Sequence, residues 1–238
     1  PQSIRFDGDL YTTENECTFS SALRVNGSLR VGGPVRYDKD VTVQGSYQTT
    51  ASGLTQTFAS GASLTVGQDV NLQKATLSGL RTMRCGGDWT APELTAENLS
   101  LTLDGTVPQT ICTETVLEDL LIENTGKTGV SIQKPVTVSG TLRNRSTHLT
   151  GGENLTLLST GTLDGDSFCG SLRVQDYEFK ADTAITGDLY ADGSLAVASA
   201  TVTASGGFRH TDAASLTVAQ DAALHVAGIT TMQNTALQ

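Results

Sequence analysis

The 238-residue sequence is short of the residues from which compact globular cores are made. Aromatic residues make up 5%, with a single tryptophan, Trp89, and hydrophobic residues reach only 37%. A roughly spherical domain of this length needs more bulky apolar side chains to offset its ordering entropy. Charge is scarce too, at 17%, which argues against a disordered chain, because disorder goes with low hydrophobicity and high charge. No apolar stretch is long enough for a membrane span or the core of a signal peptide, so the chain is expected to be a mature product or an excised fragment. The four cysteines, Cys17, Cys85, Cys112 and Cys169, are widely scattered, and even the nearest two, Cys85 and Cys112, lie far apart in sequence. That spacing contains no Cys-x-x-Cys pair of the metal-binding kind. It leaves open both a pair of disulfides and a set of small, inward-facing thiols.

Basic residues are outnumbered, 15 against 25 acidic, for a formal net charge of −10. Such a chain repels phosphate backbones, which excludes nucleic acid as an expected partner. The acidic residues are dispersed and read as a solvated surface.

What the sequence does contain is threonine, serine, glycine, valine and leucine in a recurring phrase. Apolar and polar residues alternate and a glycine closes the run: Leu23-Arg24-Val25-Asn26-Gly27-Ser28-Leu29, Val41-Thr42-Val43-Gln44-Gly45-Ser46-Tyr47, Val136-Thr137-Val138-Ser139-Gly140-Thr141-Leu142 and Leu224-His225-Val226-Ala227-Gly228. Looser copies are Ile185–Leu189 and Val202–Gly206. The steps from Gly27 to Gly45, from Gly187 to Gly206 and from Gly206 to Gly228 are similar, each roughly 20 positions, which is the range of short structural repeats. A longer echo sets Ala62–Asp69 against Ala214–Asp221, far down the chain.

Period-2 alternation buries one face of a strand and wets the other, and glycines between short strands mark corners. A repeat of this length holding two or three strands fits one coil of a β-solenoid. The whole chain, 1–238, then reads as one continuous all-β parallel solenoid of about a dozen coils, roughly 55–60 Å long at about 4.8 Å per coil. The core of such a rod is a narrow column of Val, Leu, Ile, Ala and Thr, which suits the poverty in aromatics. The competing architecture is a set of antiparallel β-sandwich repeats. Its hairpin signals are thin: Asn-Gly occurs only at Asn26-Gly27, and Asp-Gly is irregularly spaced. The segment 115–124 admits a short helix or a strand ending at Asn124.

From Cys85 to Leu142 the text is more specific. It holds Gly87-Asp88-Trp89, Gly105, Gln109, Ile111, Leu120, Ile122, Asn124 and the closing phrase 136–142. This quarter of the chain resembles the repeat of bacterial secreted and cell-surface β-solenoid proteins, in which Gly-x-Trp, Gln-x-Ile and Val-Thr-Val-x-Gly-Thr-Leu strands follow one another. Leu103 stands where that pattern has Phe, Cys112 follows the Ile, and Glu118-Asp119 replaces Asn-Asn or Asn-Ser. The resemblance implies a fold and a surface location and carries over no functional residue. The flanking phrases also resemble bactofilin coils and phage-fibre shafts.

No constellation for chemistry emerges. Asp7-Gly8-Asp9 and Asp164-Gly165-Asp166 are the nearest to the carboxylate clusters of polysaccharide-active β-helices, but they read as turn carboxylates. The Gly-Gly-x-Gly-x-Asp calcium nonapeptide is absent. His148, His210 and His225 lie in repeat or turn text without a nucleophile elbow, and His225 is expected to face solvent. Thr-x-Thr pairs at 55/57, 113/115, 160/162 and 201/203 lack the common rung spacing of an ice-binding face. Asn-x-Ser/Thr sequons start at Asn26, Asn98, Asn144 and Asn154. The tyrosines Tyr11, Tyr37, Tyr47, Tyr177 and Tyr190 are scattered, which argues against an aromatic platform for sugars. Tyr47 is expected inward, and Tyr177 beside Phe179 is the one candidate for a small exposed patch, with no patch the preferred reading.

These readings predict no catalytic, cofactor-binding or metal site. They predict an extracellular or cell-surface structural rod that self-associates or joins neighbouring domains of a longer surface protein. An adhesin-like module for glycans or proteins is the alternative, and a polysaccharide-active β-helix enzyme is third.

Overall fold

In a computed structural model of the protein, residues 3–211, 215–233 and 235–237 are described. Among them every recorded strand pairing is parallel, in five ladders, so the antiparallel sandwich is overturned. As far as Leu172–Phe179 every third strand pairs, which makes each coil there a triangle of three short strands. One face runs as a nine-stranded ladder from Ser3–Phe6 to Thr162–Leu163, and the next as eight strands from Leu10–Thr12 to Leu149–Thr150. That second face resumes at Ser167–Phe168 with four more strands, so the solenoid has about the dozen coils expected. The third face holds five strands, Cys17–Phe19 to Thr95–Ala96, and resumes at Thr115–Leu117. Coil length varies: Leu172 pairs with Leu189 across a short coil, whereas Tyr47 pairs with Val70 across a distinctly longer one.

Three-residue strands follow from the sequence pattern. In Val41–Val43 and Val136–Val138 the outer two side chains point inward and are buried, while the central threonine faces out. One apolar pair per strand is enough for a column only three strands wide. Tyr47 is inward and fully buried, as expected. On the third face Phe19, Tyr37 and Phe58 stack in successive coils, with ring centroids 5.7 and 4.9 Å apart. The echo between 62–69 and 214–221 has a direct meaning. Ser63–Val66 and Ser215–Val218 lie on the same face a whole number of coils apart; Ala214, at the start of the second copy, lies outside the described residues.

The corners require glycine chiefly for close approach. A Cβ on Gly105 would stand 2.3 Å from the Gly86 carbonyl oxygen, and one on Gly86 2.4 Å from that of Gly67. The three stack at one corner of successive coils with ordinary φ, so contact between coils excludes the side chain there.

Residues 115–124 form two strands, Thr115–Leu117 and Asp119–Ile122, which turn a corner at Glu118. Their apolar run mimics a helix because the inward and outward sides exchange across that corner: Leu120 and Ile122 are buried, and Val116 is 74% exposed. A 3-10 turn at Gly152–Asn154 is the helical element among the described residues. In the C-terminal third, the long strands Leu172–Phe179 and Leu189–Val197 each serve two faces. They bend where Asp176 and Gly193 take φ of 49° and 73°, and the register shifts between Gln175 and Tyr177.

All four cysteines are free thiols. They sit on different coils, so the disulfide reading gives way to the inward-thiol one most clearly at Cys85, which is fully buried.

Candidate functional site

The repeated chemistry of this molecule lies at its corners. An aspartate there accepts the backbone N–H of a residue one coil further on: Asp9 from Ser28 at 2.7 Å, Asp69 from Asp88 at 2.9 Å, Asp119 from Thr141 at 2.6 Å and Asp182 from Thr201 at 2.7 Å. Asp40, Asp88, Asp176 and Asp188 make the same clasp. A carboxylate accepting a backbone donor is a charge-assisted bond. A good part of the acidic character is therefore structural, tying coil to coil, where the sequence suggested only solvation. Asp119 also takes the Ser100 hydroxyl at 2.6 Å, so it links three successive coils.

A second device is a polar plug inside the column. Gln109, 1% exposed, donates from Nε2 to the Cys85 and Gly87 carbonyls at 2.8 and 2.7 Å. Its Oε1 accepts from Gly105 N–H and from Asn124 Nδ2, both at 2.8 Å. Every hydrogen-bonding position of the amide is used. Nearby, Trp89 donates from Nε1 to Thr115 Oγ1 at 3.1 Å and Ala91 donates its N–H to Thr113 Oγ1 at 2.8 Å. Side chains thus bridge the coils where the third-face ladder is interrupted. The Gln-x-Ile motif marked this place, but the sequence did not show that Gln109 and Asn124 meet.

The residues weighed for chemistry do not converge. Asp7 is held by Arg5 and Asn26 and Asp9 by Ser28, while Asp164, many coils away from both, is held by Arg143. Among the described residues no group of three or more His, Cys, Asp or Glu could hold a metal. His148 and His225 are exposed. His210 is fully buried, with Nδ1 2.6 Å from Thr235 Oγ1 and Nε2 without a partner among the described residues. A histidine–hydroxyl pair without an orienting third group, closed off from solvent, is not a nucleophilic centre.

Tyr177 and Phe179 form no exposed patch. They are buried, at 8% and 2% exposure, and pack edge to face with centroids 5.0 Å apart. The bulge at Asp176 restarts the alternation, so both rings turn inward. Among the outward tyrosines, Tyr11 carries the Arg30 guanidinium at 5.1 Å from its ring, and Tyr190 lies between Arg173 at 5.1 Å and Arg209 at 5.9 Å. The threonine pairs form no continuous face. Thr55 and Thr57 pair with Thr76 and Ser78, but Thr115 is inward, and Thr201 and Thr203 face Ala223 and His225. The sequon asparagines Asn144 and Asn154 bond backbone carbonyls of other coils.

The terminal described coils present open edges. Ile4 is 39% exposed where its ladder partner Leu23 is 2%, and Met232 is 42% exposed where its partner His210 is fully buried. No helix among the described residues is long and apolar enough to cross a membrane.

By architecture the chain is a three-faced parallel β-solenoid, a repeat protein in which each coil rests on its neighbours. No protein-family model matches it, and neither a curated protein nor a solved structure matches it.

Proposed function

We propose that this chain is a non-catalytic structural rod of the extracellular space or cell surface, whose column is continued on its open edges by further β-coils, those of a second copy or of neighbouring domains of a longer surface protein. The observation that carries this reading is the contrast at the terminal coils, where inward positions that are buried one coil further in stand in solvent. An open parallel edge is a template for another strand, and an apolar column ending in water gains by being continued. The resemblance of residues 85–142 to secreted solenoid repeats supports the location, and the corner clasps suit a load-bearing element.

Negative-stain electron microscopy over a concentration series tests it. Filaments of uniform width that lengthen with concentration, and that Met232→Lys shortens, are the expected result. Rods of one fixed length at every concentration contradict stacking between copies and leave the edges to neighbouring domains of a longer protein. A second reading, an adhesin-like module for surface glycans or proteins, draws on Tyr190 between two guanidiniums. A glycan-array signal abolished by Tyr190→Ala would favour it.

A further inference from the structure

One pair of neighbouring coils is joined less completely than the others. Ser167–Phe168 does not pair with Leu149–Thr150, and on the first face Thr162–Leu163 does not pair with residues 177–179, although each of these strands pairs on its other side. Between these coils only the third-face ladder continues, Thr156 opposite Arg173. On the first face the interruption opens as a cleft of about 330 Å³, with Ser159, Thr162 and Leu163 on one wall and residues 176–181 on the other.

The direction of the backbone groups follows from strand alternation. Asp164 N–H reaches back to Leu142 O, so the amide and carbonyl of Leu163 face forward into the cleft. Ala198 N–H reaches back to Phe179 O, so the amide and carbonyl of Glu178 face the other way, into the same cleft. In an intact ladder these groups would meet. Instead, Leu163 N–H is held by the Tyr177 hydroxyl at 3.2 Å, a side chain standing where a strand carbonyl would be. The outward row crossing the gap runs Arg143, Asp164, then Glu178 and Ala196, with Asp164 paired to Arg143 and Glu178 to the exposed Lys180 at 3.0 Å. A residue between would therefore have on either side a carboxylate shared with a surface cation.

We infer that this cleft is a strand-addition site for an extended peptide, running parallel to the coils, with a basic residue at the outward position between Asp164 and Glu178. Backbone groups on both walls supply the affinity, and the two carboxylates supply the preference, as in other β-augmentation sites. Tyr177 acts as the plug that the incoming carbonyl displaces. Both aromatic rings of the wall are buried, so the cleft offers no stacking platform for a sugar.

The probe is a fluorescently labelled peptide copying residues 139–145, Ser-Gly-Thr-Leu-Arg-Asn-Arg, titrated with the full chain and read by anisotropy. Saturable binding is expected, weakened when the first Arg of the peptide is replaced by Glu. Glu178→Pro removes one cleft-facing donor without touching the ladder on the strand's other edge, a position where proline is tolerated; it should weaken binding about tenfold. Tyr177→Phe frees the Leu163 amide and should tighten binding, with circular dichroism confirming that both variants fold. Binding that neither variant alters places the peptide on the terminal edges and overturns the proposal. So does no binding at all, or binding of an oligosaccharide in place of the peptide.

Discussion

Replacing Gln109 by leucine tests how far the interior polar plug holds the central coils together. The side chain is of similar size, so the cavity term is small, and the loss is that of four hydrogen bonds of 2.7–2.8 Å. The neighbours differ in what they keep. Asn124 Nδ2 still donates to Val107 O at 2.8 Å, and Cys85 O still accepts from Asp104 N. Gly105 N–H, buried at a corner too tight for any side chain, loses its acceptor. A stranded buried donor costs about 1–3 kcal/mol, and each of the three further hydrogen bonds about 1 kcal/mol net, so the expected destabilisation is about 4–6 kcal/mol. Trp89 is the sole tryptophan and pairs with Ile111, on the same strand as Gln109, so its fluorescence reports on these coils directly. Equilibrium urea unfolding should move to a lower midpoint, with the slope checked for an unchanged unfolding unit. Thr110→Ala, on the outward side of the same strand, should cost less than about 0.5 kcal/mol. A midpoint for Gln109→Leu no lower than that control would refute the view that the network is a stabilising plug.

Asp119→Ala removes both the Thr141 clasp and the Ser100 contact and should cost about 2 kcal/mol; Asp119→Asn keeps the Oδ1 acceptor and should cost less than half as much, measured by the same melts. Gly129 has φ +66° and its Cβ would lie 1.8 Å from the His148 carbonyl oxygen, whereas Gly53, at φ +77°, faces open space. Gly129→Ala should therefore destabilise by more than about 3 kcal/mol and Gly53→Ala by about 1 kcal/mol, in thermal unfolding. Burial pushes the Cys85 thiol from its ordinary 9.0 up to about 12, with nearby Asp69 and Asp104 adding to the rise. The unfolded thiol then ionises first, so stability from this group is full below pH 9.0 and is lost progressively towards pH 12, at about 1.4 kcal/mol per pH unit. Cys85→Ala should flatten that slope in alkaline urea titrations. At pH 8 a thiol reagent should label the three half-buried cysteines before Cys85, which should react only on unfolding.

The sequence alone determined the class of fold. A period of two in most strands, recurring corner glycines and few aromatics leave little but a narrow parallel column, since only stacked short coils can bury so few apolar residues each. Tyr47 and His225 could be oriented from alternation because their strands are unbroken. Alternation failed at Tyr177 and Phe179 because a bulge at Asp176 resets the inward phase, and that bulge exists only through pairing with the coil beyond. At 115–124 the phase likewise exchanges across a corner, and a linear pattern cannot register the turn. The corner aspartates were visible as residues but not as clasps, because donor and acceptor lie a full coil apart in sequence and meet only when coils stack. Gln109 with Asn124, the three separate ladder interruptions and the cleft beside Leu163 belong to the tertiary structure for the same reason. Each depends on the contact between coils, and coils as unequal as those closed by Leu172 with Leu189 and by Tyr47 with Val70 bring together groups that no fixed spacing announces.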